Sequence, residues 1–123
     1  MSPPLYELKA EFFKTLAHPG RIRALELLSA GELSVGELQS EIGLESSHLS
    51  QQLAVLRRAG LVRTRKQGTS VYYSLSSPEL AELLAVARRF LTARLSGQAN
   101  LLRDLEADEA QSGSTSASLP GGG

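Results

Sequence analysis

The stretch from Glu45 to Gly60, ESSHLSQQLAVLRRAG, constrains this 123-residue chain more than any other. Leu49, Gln52, Leu53 and Leu56 recur at steps of three and four, so a helix would turn them all toward a core. Ser47, Gln51, Ala54 and Arg58 then project from the opposite side, flanked by Ser50 and Arg57. This outer face is small and polar and carries no acid. Serine and glutamine both donate and accept hydrogen bonds, and glutamine can hold an adenine edge with two of them. A small side chain at Ala54 lets the backbone approach a groove floor, and arginine at the far end suits phosphate. Such a slim helix fits the major groove of DNA. An ordinary amphipathic surface helix has the same periodicity, so the residues that follow must decide between the two.

Gly60 is a natural stop for that helix. Leu61 to Lys66 and Thr69 to Leu75 are rich in β-branched and aromatic residues, with Gln67 and Gly68 between them. The pattern predicts a β-hairpin, with Gly68 supplying the positive φ of a tight turn. Arg63, Arg65 and Lys66 lie along one arm and near the tip. A basic hairpin directly after a helix of this kind reads as a wing, placed to follow a phosphate backbone or enter a minor groove. The competing reading is a solvated edge hairpin whose cations block aggregation. Tyr72 and Tyr73 fall on opposite sides of the ribbon. One suits the core; the other either touches DNA or covers the sheet.

Upstream, Pro3 and Pro4 open a helix over 5–16 with an apolar stripe of Leu5, Leu8, Phe12, Phe13 and Leu16. The two phenylalanines suit a core, and on a terminal helix they equally suit a subunit interface. Pro19 breaks the pattern and starts a helix over about 20–29, with Ile22, Leu25 and Leu28 inward. His18, in the loop before it, reads as a local hydrogen-bonding residue. A turn at Ala30–Leu33 leads toward a short strand near 32–34. Ser34 and Glu37 form an S-x-x-E capping box for a helix over about 35–42, with Val35, Leu38 and Ile42 inward. Gly43 and Leu44 make the turn into the Glu45–Gly60 helix, so the pair is a helix-turn-helix.

Ser77 and Pro78 begin a last helix. Leu80, Leu84, Ala87, Leu91, Leu95, Leu102 and Leu105 keep a near-heptad spacing, with Gln98 in the gap. Such a seam suits packing against the first helix and against a second copy of the chain; covering the subunit's own core is the plainer use. Gly97 either ends or kinks this helix, or is absorbed by it. From Ala107 the composition shifts to Ala, Asp, Glu, Ser, Gly and Thr, which cannot bury a core. The expected organisation is therefore a folded domain over residues 1–106 and an unstructured tail over 107–123.

Net charge is zero, yet its distribution is uneven: residues 1–45 sum to −3, residues 46–75 to +5, and residues 76–123 to −2. A basic patch confined to one supersecondary unit is the footprint of a phosphate-binding surface. The absence of cysteine excludes disulfides, thiolate metal sites and thiol redox sensing within this chain. No apolar run is long enough to span a membrane, and the start lacks a signal-peptide pattern, so a cytoplasmic location is expected.

In this order, the segments resemble the ArsR/SmtB family of bacterial winged-helix repressors. The matching pieces are LAHPGR at 16–21, LSVGEL at 33–38, SQQLAVLR at 50–57, AGLVR at 59–63, and Gly68 followed by Val71, Tyr72 and Tyr73. The resemblance covers about residues 5–95. It implies a mainly α fold with a small β-hairpin: a winged helix-turn-helix of about five helices plus a two- to three-stranded wing. It further implies a homodimer paired through the first and last helices, here Leu5, Leu8, Phe12, Leu84, Ala87, Leu91 and Leu95. Two recognition helices would enter successive major grooves of a near-palindromic operator. Ser47, Ser50 and Gln51 would face base edges, with Ser46 and His48 also on the DNA-binding surface. Arg57 and Arg58 would lie near the backbone, as would Arg63, with Arg65, Lys66, Gln67, Gly68 and Thr69 forming the wing tip.

The chain departs from the family where many members bind metals. Ser34 and Gly36 stand where others carry cysteines, and the last helix holds no histidine, only Glu79, Glu82, Arg88 and Arg89 along that face. No metal and no cofactor is expected, and His18 and His48 are not placed as a pair. Gly20 also replaces a capping hydroxyl, which predicts a looser start to the second helix. The effector is left open: a small organic molecule at the dimer seam, a partner protein, or none. The leading expectation is a dimeric, DNA-binding transcriptional repressor. The alternative is a winged-helix protein-interaction module with its basic face on an acidic partner. An enzyme is not expected, because no nucleophile–base pair, metal cluster or phosphate loop can be assembled from these residues.

Overall fold

Caps and turns set the element bounds in the computed structural model, which describes residues 2–115, with side chains through residue 110. The order is α1 (Leu5–Leu16), α2 (Pro19–Leu28), β1 (Leu33–Ser34), α3 (Val35–Ile42), α4 (Ser46–Arg58), β2 (Val62–Gln67), β3 (Ser70–Leu75) and α5 (Pro78–Thr115). Ser34 Oγ accepts from the Glu37 amide at 3.1 Å, and Glu37 Oε1 accepts from the Ser34 amide at 3.0 Å, completing the capping box of α3. Ser77 Oγ accepts from the Glu79 amide at 3.2 Å at the start of α5.

The start of α2 differs from the expectation. It is not loose. His18 is its N-cap, and the ring Nδ1 accepts from the Gly20 amide at 3.0 Å. Space there is tight: a Cβ on Gly20 would lie 3.2 Å from His18 Cε1 and 3.3 Å from Leu44 Cδ1. The missing hydroxyl cap is thus replaced by an imidazole that packs closely over Gly20.

The sheet is antiparallel, in the order β1–β3–β2, so β3 is the central strand. Leu33 pairs with Tyr73 and Ser34 with Tyr72, while Thr64 pairs with Tyr73 and Arg65 with Tyr72. The period of two then sorts the side chains. Val62, Thr64, Tyr73 and Leu75 share the inner face; Arg63, Arg65, Gln67 and Tyr72 share the outer one. Gly68, at φ +62°, and Thr69 make the two-residue loop between β2 and β3. Glycine at the first loop position with positive φ suits a type II′ hairpin turn.

The chain divides into two units, one ending at Leu84 and one beginning at Ala85. The first holds the core. Leu25, Leu38, Leu49 and Leu56 are fully buried, joined by Ala24, Leu28, Leu53, Leu61 and Val62. All three leucines assigned inward on α4 are in this cluster. Phe12, Tyr73 and Leu84 pack against it from the edge. Each buried leucine contributes about 1.5–3 kcal/mol relative to an exposed one.

The second unit is the remainder of α5. It answers one question that the sequence leaves open and differs from one expectation. The helix passes through Gly97 without ending, and it continues past residue 106 as far as Thr115. Ala107, Asp108, Glu109 and Ala110 are helical but exposed. They bury no core, as their composition requires, yet extending an existing helix costs little because each added residue closes another backbone bond. The part of the expected tail from 116 to 123 lies outside the described residues.

Candidate nucleic-acid interface

The buried leucines of α4 fix its orientation and turn its other side outward. Ser46, Ser47, His48, Ser50 and Gln51 are exposed along its first turns, and Arg57 and Arg58 along its last. Ala54 is half-buried between them. No side chain caps the start of α4, so its first amides are free of capping partners. Gln52, on the inner side, is half-buried, and its Oε1 accepts from Arg21 Nε at 2.7 Å. The Arg21 Nη1 donates to the Thr15 carbonyl at 2.9 Å.

A groove of about 480 Å³ runs beside α4, with Ser50, Arg57 and Arg58 at its rim and Val35, Leu53 and Tyr73 at its floor. It joins the recognition face to the inner face of the sheet. Arg57 and Arg58 make no ion pair or side-chain hydrogen bond among the described residues, so both keep their donors for another ligand.

The hairpin residues expected at the wing are all exposed: Arg63, Arg65, Lys66 and Gln67 on β2, with Gly68 and Thr69 at the tip. They differ in how they are held. Arg63 and Lys66 have no side-chain partner among the described residues. Arg65 is engaged on every side. Its Nη2 donates to Glu32 Oε1 at 2.6 Å and its Nε to Glu32 Oε2 at 3.1 Å. Its Nη1 donates to Gln67 Oε1 at 2.7 Å, and its Cζ lies 4.8 Å from the Tyr72 ring centroid. The hydrogen bond and charge of Arg65 hold the Glu32 carboxyl below the usual carboxylate range, against a smaller opposing effect of burial. Tyr73 takes the core side of the ribbon and Tyr72 carries the arginine, so neither expectation for the outer tyrosine, DNA contact or simple cover, named its neighbour.

Three residues of this surface were missed in the sequence: Glu32, Arg21 and Tyr72 as the platform for Arg65. The sequence places Glu32 only in a turn or at the start of a short strand. Its role follows from the three-stranded register, since Ser34 and Arg65 both sit opposite Tyr72.

The expected interface residues divide into two sets. Leu5 (65% exposed), Leu8 (50%), Leu91 (55%) and Leu95 (65%) are open to solvent, as is Ala87. Phe12 and Leu84 are partly covered by the subunit's own core. Among the described residues no group of three or more His, Cys, Asp or Glu is arranged to hold a metal ion. No helix among them is long and apolar enough to cross a membrane.

A helix-turn-helix followed at once by a basic hairpin defines a winged helix-turn-helix protein. The comparisons narrow this. Residues 18–64 match the model of the bacterial regulatory proteins of the arsR family. An uncharacterised HTH-type transcriptional regulator of Mycobacterium tuberculosis, Rv0081, is 62% identical over 107 residues, covering 86% of this chain and 94% of that protein. Its crystal structure superposes with a TM-score of 0.72 at 63% identity, over 80% of this chain and 99% of that one. The biofilm growth-associated repressor of Agrobacterium fabrum is 44% identical over 75 residues, 61% of this chain and 64% of that protein. The homodimeric winged helix-turn-helix DNA-binding domain of Mb0332 from Mycobacterium bovis matches with a TM-score of 0.64 at 28% identity, over 75% of this chain and 91% of that one. The chain belongs to the arsR family of bacterial regulatory proteins.

Proposed function

We propose that the protein is a homodimeric transcriptional repressor that binds a near-palindromic operator in sequence-specific fashion. The observation that carries this is that α4 and β2 contribute exposed cations and no acid of their own, Glu32 being the one carboxylate that reaches them, at Arg65. Ser47, Ser50 and Gln51 stand exposed between cations that have no partner within the described chain: Arg57, Arg58, Arg63 and Lys66. Ser47, Ser50 and Gln51 read base edges, with Ser46 and His48 at the start of the helix. Arg57 and Arg58 take backbone phosphates beside the groove at Ser50. Arg63, Arg65, Lys66, Gln67, Gly68 and Thr69 lie along the backbone as the wing. Leu5, Leu8, Leu91 and Leu95 meet a second copy, which sets two α4 helices against successive major grooves. The arsR-family membership and the repressor named among its relatives support this reading. The chain lacks cysteine, so any effector acts without thiolate ligation.

Fluorescence anisotropy with DNA from upstream of the protein's own gene, set against a scrambled duplex at two salt concentrations, tests the proposal. Tight binding to the upstream DNA, a wide gap to the scramble and a steep loss with salt are expected. A reporter fused to that DNA should fall silent when the protein is expressed. Activation of the reporter would overturn the repressor assignment. Absence of binding to either duplex would favour the protein-interaction module.

A further inference from the structure

The cations of the candidate interface are not equivalent. Arg57, Arg58, Arg63 and Lys66 are open, whereas Arg65 donates from all three guanidinium nitrogens to Glu32 and Gln67 and sets its Cζ 4.8 Å from the Tyr72 ring centroid. The Glu32 carboxylate meets it through two parallel hydrogen bonds. A phosphate group offers the same pair of oxygens at the same spacing, which is why arginine binds both anions in one geometry. Glu32 also cancels one of the five positive charges carried by residues 46–75.

We infer that Glu32 is an internal competitor for Arg65, occupying the guanidinium with a carboxylate where DNA would place a phosphate. This rests on the DNA-binding reading above and assigns Glu32 a role in it. Arg65 offers its Nε–Nη2 edge to the backbone only by exchanging one anion for the other, so Glu32 holds down the sequence-independent part of DNA affinity. A purely structural clamp is the less economical account. The pair is open to solvent, with the side chains 49% and 35% exposed, so screening limits what it adds to stability. The hairpin has its own ladder from Val62–Leu75 to Gln67–Ser70 and does not depend on a side-chain strap.

The test is an anisotropy titration of wild type, Glu32→Gln, Arg65→Gln and the double variant on upstream and scrambled duplexes across a salt series. Circular dichroism melts establish that each variant is folded. Glu32→Gln is expected to bind both duplexes several-fold more tightly. Its salt dependence should be steeper, by at most about 0.9 in log–log slope for the one phosphate contact that a freed Arg65 gains. In the Arg65→Gln background the same change should have no effect. Weaker binding by folded Glu32→Gln would make the pair a clamp and overturn the inference. An equal gain in the Arg65→Gln background would reduce it to general charge repulsion and overturn it too. If wild type binds neither duplex, the DNA-binding reading itself falls, an outcome distinct from these.

Discussion

Arg21 Nε donates to Gln52 Oε1 at 2.7 Å, joining two half-buried residues that lie 31 positions apart. The same guanidinium donates to the Thr15 carbonyl at 2.9 Å. One side chain on α2 thus ties the end of α1 to the inner face of α4. Among the described residues this is the side-chain hydrogen bond that α4 makes with the rest of the fold. The leucines of α4 supply most of the burial, but apolar contacts are not directional. The Arg21–Gln52 bond is, and it adds a directional tie to the rotation that the buried leucines already favour.

Replacing Gln52 with leucine should therefore destabilise the protein by about 1–3 kcal/mol, because the Arg21 donor is left without its acceptor in a partly buried place. Gln52→Glu keeps an acceptor at the same reach and should recover most of the loss. Urea unfolding measures both. A Gln52→Leu variant as stable as wild type would remove this bond from the account of how α4 is oriented.

The His18 cap makes an unusual glycine prediction. Alanine normally stabilises a helix by about 0.5–1 kcal/mol over glycine. At Gly20 the added methyl would press on the His18 ring at 3.2 Å and on Leu44 at 3.3 Å, so Gly20→Ala should destabilise instead. His18→Ala should cost about 1 kcal/mol through loss of the cap. In the His18→Ala background the penalty for Gly20→Ala should shrink. Thermal melts of the four proteins close the cycle, and a stabilised Gly20→Ala protein would show that the ring yields at no cost.

Element bounds were legible wherever a cap or a turn residue encodes them locally. Ser34 with Glu37, Ser77 with Pro78, and Gly68 in its two-residue loop each specify their geometry within a few positions, and α1 and α3 begin and end where their stripes predict. The outer face of α4 was equally readable, because a helical period alone separates Leu49, Leu53 and Leu56 from Ser47 and Gln51. The far end of α5 was not. Gly97 and the polar run after Glu106 lack any packing signal, and only the cooperativity of an existing helix carries it onward. Nor were Arg21–Gln52 and Glu32–Arg65, pairs 31 and 33 positions apart whose meeting depends on tertiary register.

The Glu32–Arg65 pair gives stability a pH dependence of known sign. The Glu32 carboxyl titrates below its ordinary value in the folded protein, chiefly through the Arg65 hydrogen bond. Its contribution is present above the ordinary glutamate range and is lost as pH falls through the lowered folded value. Arg65 stays charged throughout that window. The stability difference between wild type and Glu32→Gln should thus be greatest near neutral pH and close in acid. A difference that stayed constant down to acid pH would exclude the pair as its source.

Gln51 and Arg58 should fail in different ways. Gln51→Ala should cost about 1–3 kcal/mol on the operator and little on a scrambled duplex, since a base-reading amide is worth nothing where no matching edge is offered. Arg58→Gln should weaken both duplexes alike and lower the salt slope by about one phosphate contact. Anisotropy with single base-pair substitutions resolves the two. Equal losses on both duplexes from Gln51→Ala would move that residue from base reading to the backbone.

The apolar face of α5 is the last element to be tested, and its exposure makes the test clean. Leu91 and Leu95 are 55% and 65% exposed, and neither belongs to the core cluster built around Leu25 and Leu53. A charge at either position should leave the helix-turn-helix unit folded. In the proposed dimer the same leucines would meet a second copy, and a glutamate there would bury an unpaired charge. Leu91→Glu should therefore sediment at half the mass of wild type while keeping its helical circular dichroism. Operator affinity should fall further than any single α4 change achieves, because two linked half-site contacts become two independent ones. Scrambled DNA, which uses the backbone cations of each copy, should be affected far less. If Leu91→Glu and Leu95→Glu both stay dimeric, α5 is not the seam and the exposed stripe of Leu5 and Leu8 on α1 must carry the association alone.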